Sequence, residues 1–303
     1  MTKAIRRGTR SFFQQYFSDP ITALFVLIIY TFFRVLPSKI ASDLGSKIGT
    51  FLYKLMQKRN KIARRNLEIA FPEKTVSERE EILKQMWQHW GRFFAEMPHG
   101  ETLYKTARKV GLENLKKLYE TKQGCFVCSA HLGNWEPAVS APLFKDYYLN
   151  PVYRVANNKW IDKIMFQRRK GTLIPKGSSG ARLMLQVLKN GGGVVILCDQ
   201  KLREGIDVPF FGKMVKTAPA TATIALKMNL PIIMARCIRG KDGIFDIDVS
   251  EPLLMPNTKE IGEEKAIYDL TLKINQTIET WIKQNPEQWL WVHHRFDKSE
   301  YNN

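Results

Sequence analysis

The chain has few cysteines, and their spacing does not suggest ligands. Four cysteines occur among 303 residues, and Cys125 and Cys128 form the one Cys-x-x-Cys pair. Residues three apart in a strand point to opposite faces, so these two thiols would diverge. Without a second pair, a zinc cluster or a dithiol redox centre is not expected. We predict free thiols in a reducing compartment.

The chain also lacks an apolar run long enough to cross a bilayer. The uncharged stretch at residues 20–33 lies between Asp19 and Arg34. A spanning helix needs about 20 apolar residues, whereas runs of 10–14 are more typical of interfacial or core helices. No small-residue cleavage site follows, as a signal peptide would require. We predict a helix partly sunk into the inner leaflet of a membrane, with packing on the domain core as the alternative.

Acidic residues are scarce in the first 65 positions, where thirteen lysines and arginines face only Asp19 and Asp43. The whole chain carries a formal charge of +18, with a pI near 9.7. A surplus of this size indicates an anionic partner. Because the basic segment surrounds the apolar run, an anionic membrane surface suits it better than nucleic acid. A solvated basic face remains an alternative.

The pattern from residue 112 onward alternates between strands and helices. Short apolar strands are predicted at 125–130, 149–155, 172–175, 194–199, 231–239 and 245–249. Such alternation predicts an α/β fold with a mainly parallel central sheet flanked by helices, preceded by an N-terminal membrane-associated helical segment. We divide the chain into membrane-associated helices at 1–65 and an α/β domain at 66–303. One amphipathic helix is predicted over 38–65, and another over 77–96 is predicted to begin with a Ser77–Glu80 capping box.

Polar residues follow several predicted strands directly. These are His131, Arg154, the pair Asp199 and Gln200, and, less clearly, Arg236. Ligands of open α/β sheets bind beyond the carboxyl ends of the strands. The sequence therefore predicts a site at this edge, with His131 beside it.

Residues 131–136, His-Leu-Gly-Asn-Trp-Glu, follow a buried strand and enter a helix. A neutral histidine within reach of a hydroxyl can act as a general base, and Glu136 is predicted to orient the His131 ring. Gly133 and Asn134 permit a sharp turn whose amides could face an oxyanion. The nucleophile would be the hydroxyl of the acceptor. A structural histidine is the alternative reading, and no second ligand motif suggests a metal.

The same string is part of a longer set of motifs. This set comprises residues 65–67 (Arg-Asn-Leu), 71–72 (Phe-Pro), 131–136, 153–154 (Tyr-Arg), Asn158, Asp162, 174–176 (Ile-Pro-Lys), 199–200 (Asp-Gln), 208–212 (Val-Pro-Phe-Phe-Gly), Ala218, Asn275, 278–279 (Ile-Glu) and 286–296. With it the chain resembles the late acyltransferases of lipid A biosynthesis in Gram-negative bacteria.

The resemblance implies an inner-membrane enzyme whose catalytic domain, residues 66–303, faces the cytoplasm. It would transfer a fatty acyl chain from acyl carrier protein to a hydroxyl of a Kdo-bearing lipid A precursor, without a cofactor, metal or nucleic acid. His131 and Glu136 match the family's catalytic pair, and one of Arg168 and Arg169 matches an arginine that positions substrate. The residues expected to contact substrate are Asn134, Arg154, Asn158, Arg168, Arg169, Asp199 and Gln200.

Several alternatives stay open. The acceptor could be another glycolipid or a phospholipid, the donor could be acyl-CoA, or the chain could be a non-catalytic membrane-surface protein. Trp289 stands where such enzymes often have tyrosine, and Asp297 where lysine is common. Trp289, Trp291 and Phe296 could line an acyl groove or form ordinary core. At most one of His293 and His294 should face the site, because neighbours in an extended run point opposite ways.

Overall fold

The computed structural model describes residues 18–144, 146–166 and 169–301. The basic residues at positions 3–10 and Arg168 therefore lie outside the described residues. The helices are α1 (Asp19–Val35), α2 (Ser38–Leu55), α3 (Gln57–Ala70), α4 (Val76–Glu96), α5 (Gly100–Thr106), α6 (Leu112–Glu120), α7 (Glu136–Ser140), α8 (Lys159–Phe166), α9 (Ser178–Lys189), α10 (Ala220–Met228), α11 (Thr258–Ile261) and α12 (Glu263–Gln284). The strands are β1 (Arg108–Val110), β2 (Cys125–Ser129), β3 (Asn150–Tyr153), β4 (Ile174–Pro175), β5 (Gly193–Leu197), β6 (Lys201–Phe210), β7 (Lys213–Thr217), β8 (Ile232–Arg239) and β9 (Phe245–Pro252).

Seven strands form the central sheet in the order β1-β9-β8-β2-β5-β3-β4. Every neighbouring pair is parallel except β8 and β9, which run antiparallel. Parallel strands need crossover connections, and helices supply several of them here. The predicted α/β fold with a mainly parallel sheet flanked by helices is therefore confirmed.

The central strand β2 is buried on both faces. Phe126 and Cys128 pack with α3, α4, α9, α10 and α12 on one face, while Cys125 and Val127 pack with α5, α6 and β9 on the other. This alternation follows from the two-residue period of a strand. Cys125 and Cys128 therefore diverge as predicted, and both are free thiols.

The helix α1 leaves most of its apolar side chains exposed. Of its 17 residues, only Ala23 and Phe33 are buried. The exposed large apolar side chains are Ile21, Leu24, Phe25, Leu27, Ile28, Ile29, Phe32 and Val35. Packing on the domain core, the alternative raised by the sequence, is limited to one side of the helix, where Phe33 packs with Ala41 and Ala95. Within the part of the chain that the structure describes, no helix has the length and apolarity needed to cross a membrane.

Two helix boundaries differ from the sequence prediction. The helix expected over 38–65 divides at Met56, whose ψ of 45° is not helical, into α2 and α3. α2 then lies directly against α4, where a Cβ on Gly91 would stand 2.0 Å from the Gly45 carbonyl oxygen. Only glycine permits backbones to approach this closely. The contact fixes the position of α4 on the domain.

Thr75, rather than Ser77, caps α4. The Thr75 hydroxyl accepts from the Glu78 amide at 3.2 Å, and the Glu78 carboxylate accepts from the Thr75 amide at 2.7 Å. The predicted Ser77–Glu80 box is wrong, because Ser77 already lies inside the helix and Glu80 accepts two hydrogen bonds from Arg64.

The sequence analysis missed the hairpin of β6 and β7. These strands form a separate antiparallel pair, with Phe211 and Gly212 at positive φ in the turn. Residues 201–207 are mostly charged or small, so they give no apolar strand signal. The hairpin begins directly after Gln200 and therefore projects from the carboxyl edge of the sheet.

Candidate active site

The register of two neighbouring strands brings His131 and Asp199 together. Ser129 at the end of β2 pairs with Leu197 at the end of β5. His131 and Asp199 each lie two residues beyond these paired residues, so they are neighbours at the carboxyl edge of the sheet. The His131 amide donates to Asp199 Oδ2 at 2.9 Å, and His131 Nδ1 lies 2.8 Å from Asp199 Oδ1. Because a carboxylate only accepts, Nδ1 carries the proton in this pair.

Asp199 is held as a carboxylate. It is 3% exposed, and Trp289 Nε1 donates a third hydrogen bond to it at 2.8 Å. Burial raises the pKa of Asp199, but attraction to the His131 ring and the hydrogen bonds from His131 and Trp289 outweigh burial and lower it below its ordinary value of 3.8. Trp289, which stands where such enzymes often have tyrosine, therefore donates a hydrogen bond to Asp199 in the site.

The second ring nitrogen of His131 faces a cleft. The Gln200 amide nitrogen lies 3.3 Å from His131 Nε2 and 3.5 Å from His293 Nε2. Burial, and then the neighbouring His131 ring, lower the pKa of His293 below 6.5, so His293 is neutral at pH 7. His294 instead packs its ring against Tyr301. The prediction that at most one of the two neighbouring histidines faces the site is thereby confirmed.

Glu136 lies at the start of α7 and forms a buried ion pair with Arg169. Asp199 occupies the Nδ1 position of His131, and an imidazole nitrogen makes one in-plane hydrogen bond. Nδ1 is therefore not the ring nitrogen through which Glu136 could orient His131, and the orienting role of Glu136 stays a prediction. Of the two candidate arginines, Arg169 is the one that the described structure places in the site, while Arg168 lies outside the described residues.

The turn between His131 and Glu136 is held in place by hydrogen bonds to buried polar side chains. Asn134 Nδ2 donates to Glu96 Oε2 at 3.1 Å, and Glu96 is paired with Arg239. His89 Nε2 donates to the Gly133 carbonyl at 3.0 Å. Burial, followed by the charge of Arg239, lowers the pKa of His89 to about 3, so this ring is neutral. The sequence analysis missed Glu96 and Arg239, because nothing local links them to the motif.

Three amides of this turn make hydrogen bonds within the fold. The Gly133 amide donates to the Gln288 carbonyl, the Asn134 amide to the Cys237 carbonyl, and the Glu136 amide to the Asn134 side chain. These three amides are therefore already bonded and do not form an oxyanion site. Asn134 instead acts within the turn, through its side-chain contacts.

The cleft in front of His131 has a volume of about 420 Å³. Its apolar wall comes mainly from α4 and α8, and it includes Trp90, Phe93, Phe94, Met97, Trp135, Met165 and Phe166. Its polar groups are His131, Glu136, Arg154, Arg169, Lys176, Gln200 and His293. A mainly apolar lining that also carries polar groups suits a ligand with an aliphatic chain.

Three aromatic residues near the carboxyl end are core rather than cleft. Trp289, Trp291 and Phe296 are almost completely buried, and none of them lines the cleft. Asn158 is also absent from the cleft lining. Its side chain accepts from the Trp160 amide at the start of α8 and donates to the Asp19 carbonyl, which ties α1 to the domain.

Similarity to known proteins extends over nearly the whole chain. Residues 11–298 match the family described as bacterial lipid A biosynthesis acyltransferase. The chain is 26% identical over 278 residues to the lipid A biosynthesis palmitoleoyltransferase of Escherichia coli (strain K12), and 25% identical over 287 residues to the lauroyltransferase of the same organism. Each alignment covers 86% of both chains. A lipid A biosynthesis acyltransferase of Haemophilus influenzae is 27% identical over 304 residues, covering 94% of this chain and 93% of its own.

The matched residues span both the amino-terminal helices and the α/β domain. The protein is an acyltransferase and belongs to the bacterial lipid A biosynthesis acyltransferase family.

Proposed function

We propose that this enzyme transfers a fatty acyl chain from acyl carrier protein to a hydroxyl of a Kdo-bearing lipid A precursor, with His131 as the general base. The observation that carries this proposal is the His131–Asp199 pair, whose histidine lines a mainly apolar cleft. The names of the relatives support an acceptor from lipid A biosynthesis.

In the proposed mechanism, the acceptor hydroxyl replaces the Gln200 amide as the partner of His131 Nε2. The ring takes the hydroxyl proton as the oxygen attacks the thioester carbonyl, while Asp199 holds Nδ1–H and stabilises the resulting imidazolium. The new C–O bond forms, the C–S bond breaks, and the thiolate recovers the proton from Nε2. Gln200, whose amide lies 3.3 Å from Nε2, is suitably placed to donate to the oxygen that becomes negative.

Glu136 is assigned a positioning role. Its carboxylate and the Arg169 guanidinium are both buried in the cleft wall, and Arg169 also stacks over the Phe166 ring of α8. A buried ion pair that loses one partner leaves an unpaired charge. Removal of Glu136 would therefore release Arg169 and disturb the wall on which the acyl chain and thioester lie.

The membrane contact is assigned to the apolar surface of α1. Its eight exposed large apolar side chains suit the boundary between head groups and acyl chains. The cationic residues before and after α1 would attract anionic lipid on the cytoplasmic face of the inner membrane. Acceptor lipid could then reach the cleft from the bilayer, since α1 contacts α8 of the cleft wall.

The decisive experiment is mass spectrometry of lipid A from cells with and without the gene, complemented by wild type or by His131→Ala. Loss of one secondary acyl chain, restored by wild type but not by the variant, is expected. Unchanged lipid A would contradict the proposed acceptor and favour a different glycolipid or phospholipid. Parallel assays with acyl carrier protein and acyl-CoA thioesters would identify the donor.

A further inference from the structure

A second pocket opens beside the cleft, formed by the start of the β6–β7 hairpin and the carboxyl-terminal segment. This basic pocket has a volume of about 800 Å³, and beside Phe296 its lining comprises Lys201, Arg203, Lys216, His294, Asp297 and Lys298. Four cationic side chains thus face one carboxylate. The volume lies within the range of ordinary ligand sites, and the charge suits an anionic ligand.

Two of the cations have carboxylate partners. Lys201 Nζ lies 3.3 Å from Asp297 Oδ2, and Lys216 Nζ lies 2.7 Å from Asp207 Oδ2. Lys201 also donates to the Phe296 carbonyl at 3.1 Å, which joins the hairpin to the carboxyl-terminal segment. These contacts hold the two walls of the pocket together.

The other two cations, Arg203 and Lys298, make no hydrogen bond or ion pair within residues 18–144, 146–166 and 169–301. They lie on different segments, Arg203 on β6 and Lys298 at the start of the Lys298–Tyr301 turn, and both are exposed. Both side chains are therefore available to an oxyanion bound in the pocket. A guanidinium binds phosphate or carboxylate through two parallel N–H donors.

The basic pocket borders the same two chain segments as the catalytic cleft. Gln200 and His293 face His131 Nε2, and the residue that follows each of them, Lys201 and His294, lines the basic pocket. Consecutive Cα atoms are about 3.8 Å apart. The backbone of the pocket wall therefore adjoins the residues that contact the general base.

We infer that the basic pocket binds an oxyanion group, phosphate or carboxylate, on the sugar portion of the acceptor. This inference rests on the proposed function. If the apolar cleft holds the acyl chain, the acceptor hydroxyl reaches His131 Nε2 beside Gln200 and His293, whose next residues along the chain line the basic pocket. Arg203 and Lys298 would then anchor the acceptor so that one hydroxyl lies at the base.

The test uses the full-length enzyme in detergent and the double variant Arg203→Gln/Lys298→Gln. Because neither side chain makes a hydrogen bond or ion pair with another described residue, the fold should be retained. The KM for the acceptor is expected to rise about tenfold or more, with kcat and the KM for the donor thioester changed less than about twofold. Inorganic pyrophosphate should inhibit the wild type competitively against acceptor, and this inhibition should be lost in the variant.

A matched control, Lys189→Gln/Lys259→Gln, removes the same charge at the opposite edge of the sheet and should behave as the wild type. Acceptor treated with phosphatase separates the two sources of the oxyanion. If the pocket binds a phosphate, wild type and the Arg203→Gln/Lys298→Gln variant should have the same KM for the treated acceptor. If the pocket binds a carboxylate, the difference in KM between them should persist. An unchanged acceptor KM, or an effect on the donor KM instead, would overturn the inference. Loss of binding to phosphatidylglycerol vesicles in the variant would also overturn it, because the pocket would then hold membrane lipid. Failure of the wild type to acylate any lipid A precursor would instead refute the proposed function.

Discussion

Replacement of Asp199 by asparagine tests the geometry of the base directly. The two shapes are nearly identical, and the asparagine carbonyl can take the place of Oδ2, accepting from the His131 amide and Trp289 Nε1. The asparagine NH₂ then takes the place of Oδ1 and must donate to His131 Nδ1. Nδ1 becomes the acceptor, and the proton of the neutral ring moves to Nε2, which faces the cleft.

A protonated Nε2 cannot take a proton from the acceptor hydroxyl. The loss combines the wrong tautomer with loss of the negative charge that stabilises the imidazolium, and we expect kcat to fall by roughly 10³- to 10⁴-fold. This corresponds to an increase of about 4–5 kcal/mol in the activation free energy. Most hydrogen bonds of the site survive, so the thermal midpoint should change little.

The assay measures initial rates of acyl transfer with saturating donor and acceptor, together with the ¹⁵N shifts of the labelled His131 ring. In wild type the proton should be on Nδ1, and in Asp199→Asn on Nε2. Glu136→Gln is the matched comparison, because it should leave the tautomer of His131 unchanged even though it weakens the pair with Arg169. A kcat for Asp199→Asn within tenfold of wild type, or a tautomer change in Glu136→Gln alone, would refute the assignment of Asp199.

Three further variants test the helices around the site. Thr75→Ala should lower the free energy of unfolding by about 1 kcal/mol, because it removes the α4 cap. Ser77→Ala should leave that free energy unchanged. Urea titration measures both values. The pKa of His89 is near 3 in the folded state, below its unfolded value near 6.5. The unfolded chain therefore takes up a proton at His89 before the folded protein does. The contribution of His89 to the free energy of unfolding is complete above pH 6.5 and declines by about 1 kcal/mol per pH unit as the pH falls toward 3. His89→Gln should remove that part of the pH dependence. Leu24→Gln with Phe25→Gln should weaken partitioning onto anionic vesicles by at least about tenfold, since both side chains are more than half exposed on α1.

Each of these outcomes has a control. An equal loss of stability in Ser77→Ala and Thr75→Ala would contradict the position of the cap. Identical slopes of stability against pH in wild type and His89→Gln would contradict a buried neutral ring. For the membrane contact, Leu254→Gln changes a side chain that is 95% exposed on a loop away from α1. If it weakened vesicle binding as much as the α1 double variant, α1 would not be the contact surface.

The sequence alone was sufficient for the fold class and for the edge of the sheet at which the site lies. The alternation of apolar strands with amphipathic helices predicted the parallel sheet, since both signals depend on local periodicity. It also placed His131, Arg154, Asp199 and Gln200 beyond strand ends. Three of these four, His131, Asp199 and Gln200, meet in the structure within hydrogen-bonding distance.

The tertiary structure decided which carboxylate contacts His131 Nδ1. Spacing along the chain favoured Glu136, five residues away, but the turn of 131–136 directs that side chain to Arg169. Asp199 is 68 residues distant, and it reaches His131 only because β2 and β5 pair with Ser129 opposite Leu197. Pairing between strands depends on the packing of the whole sheet, which a local pattern does not encode. The burial of Trp289 against Asp199 has the same origin, and so does the placement of the basic pocket beside the cleft.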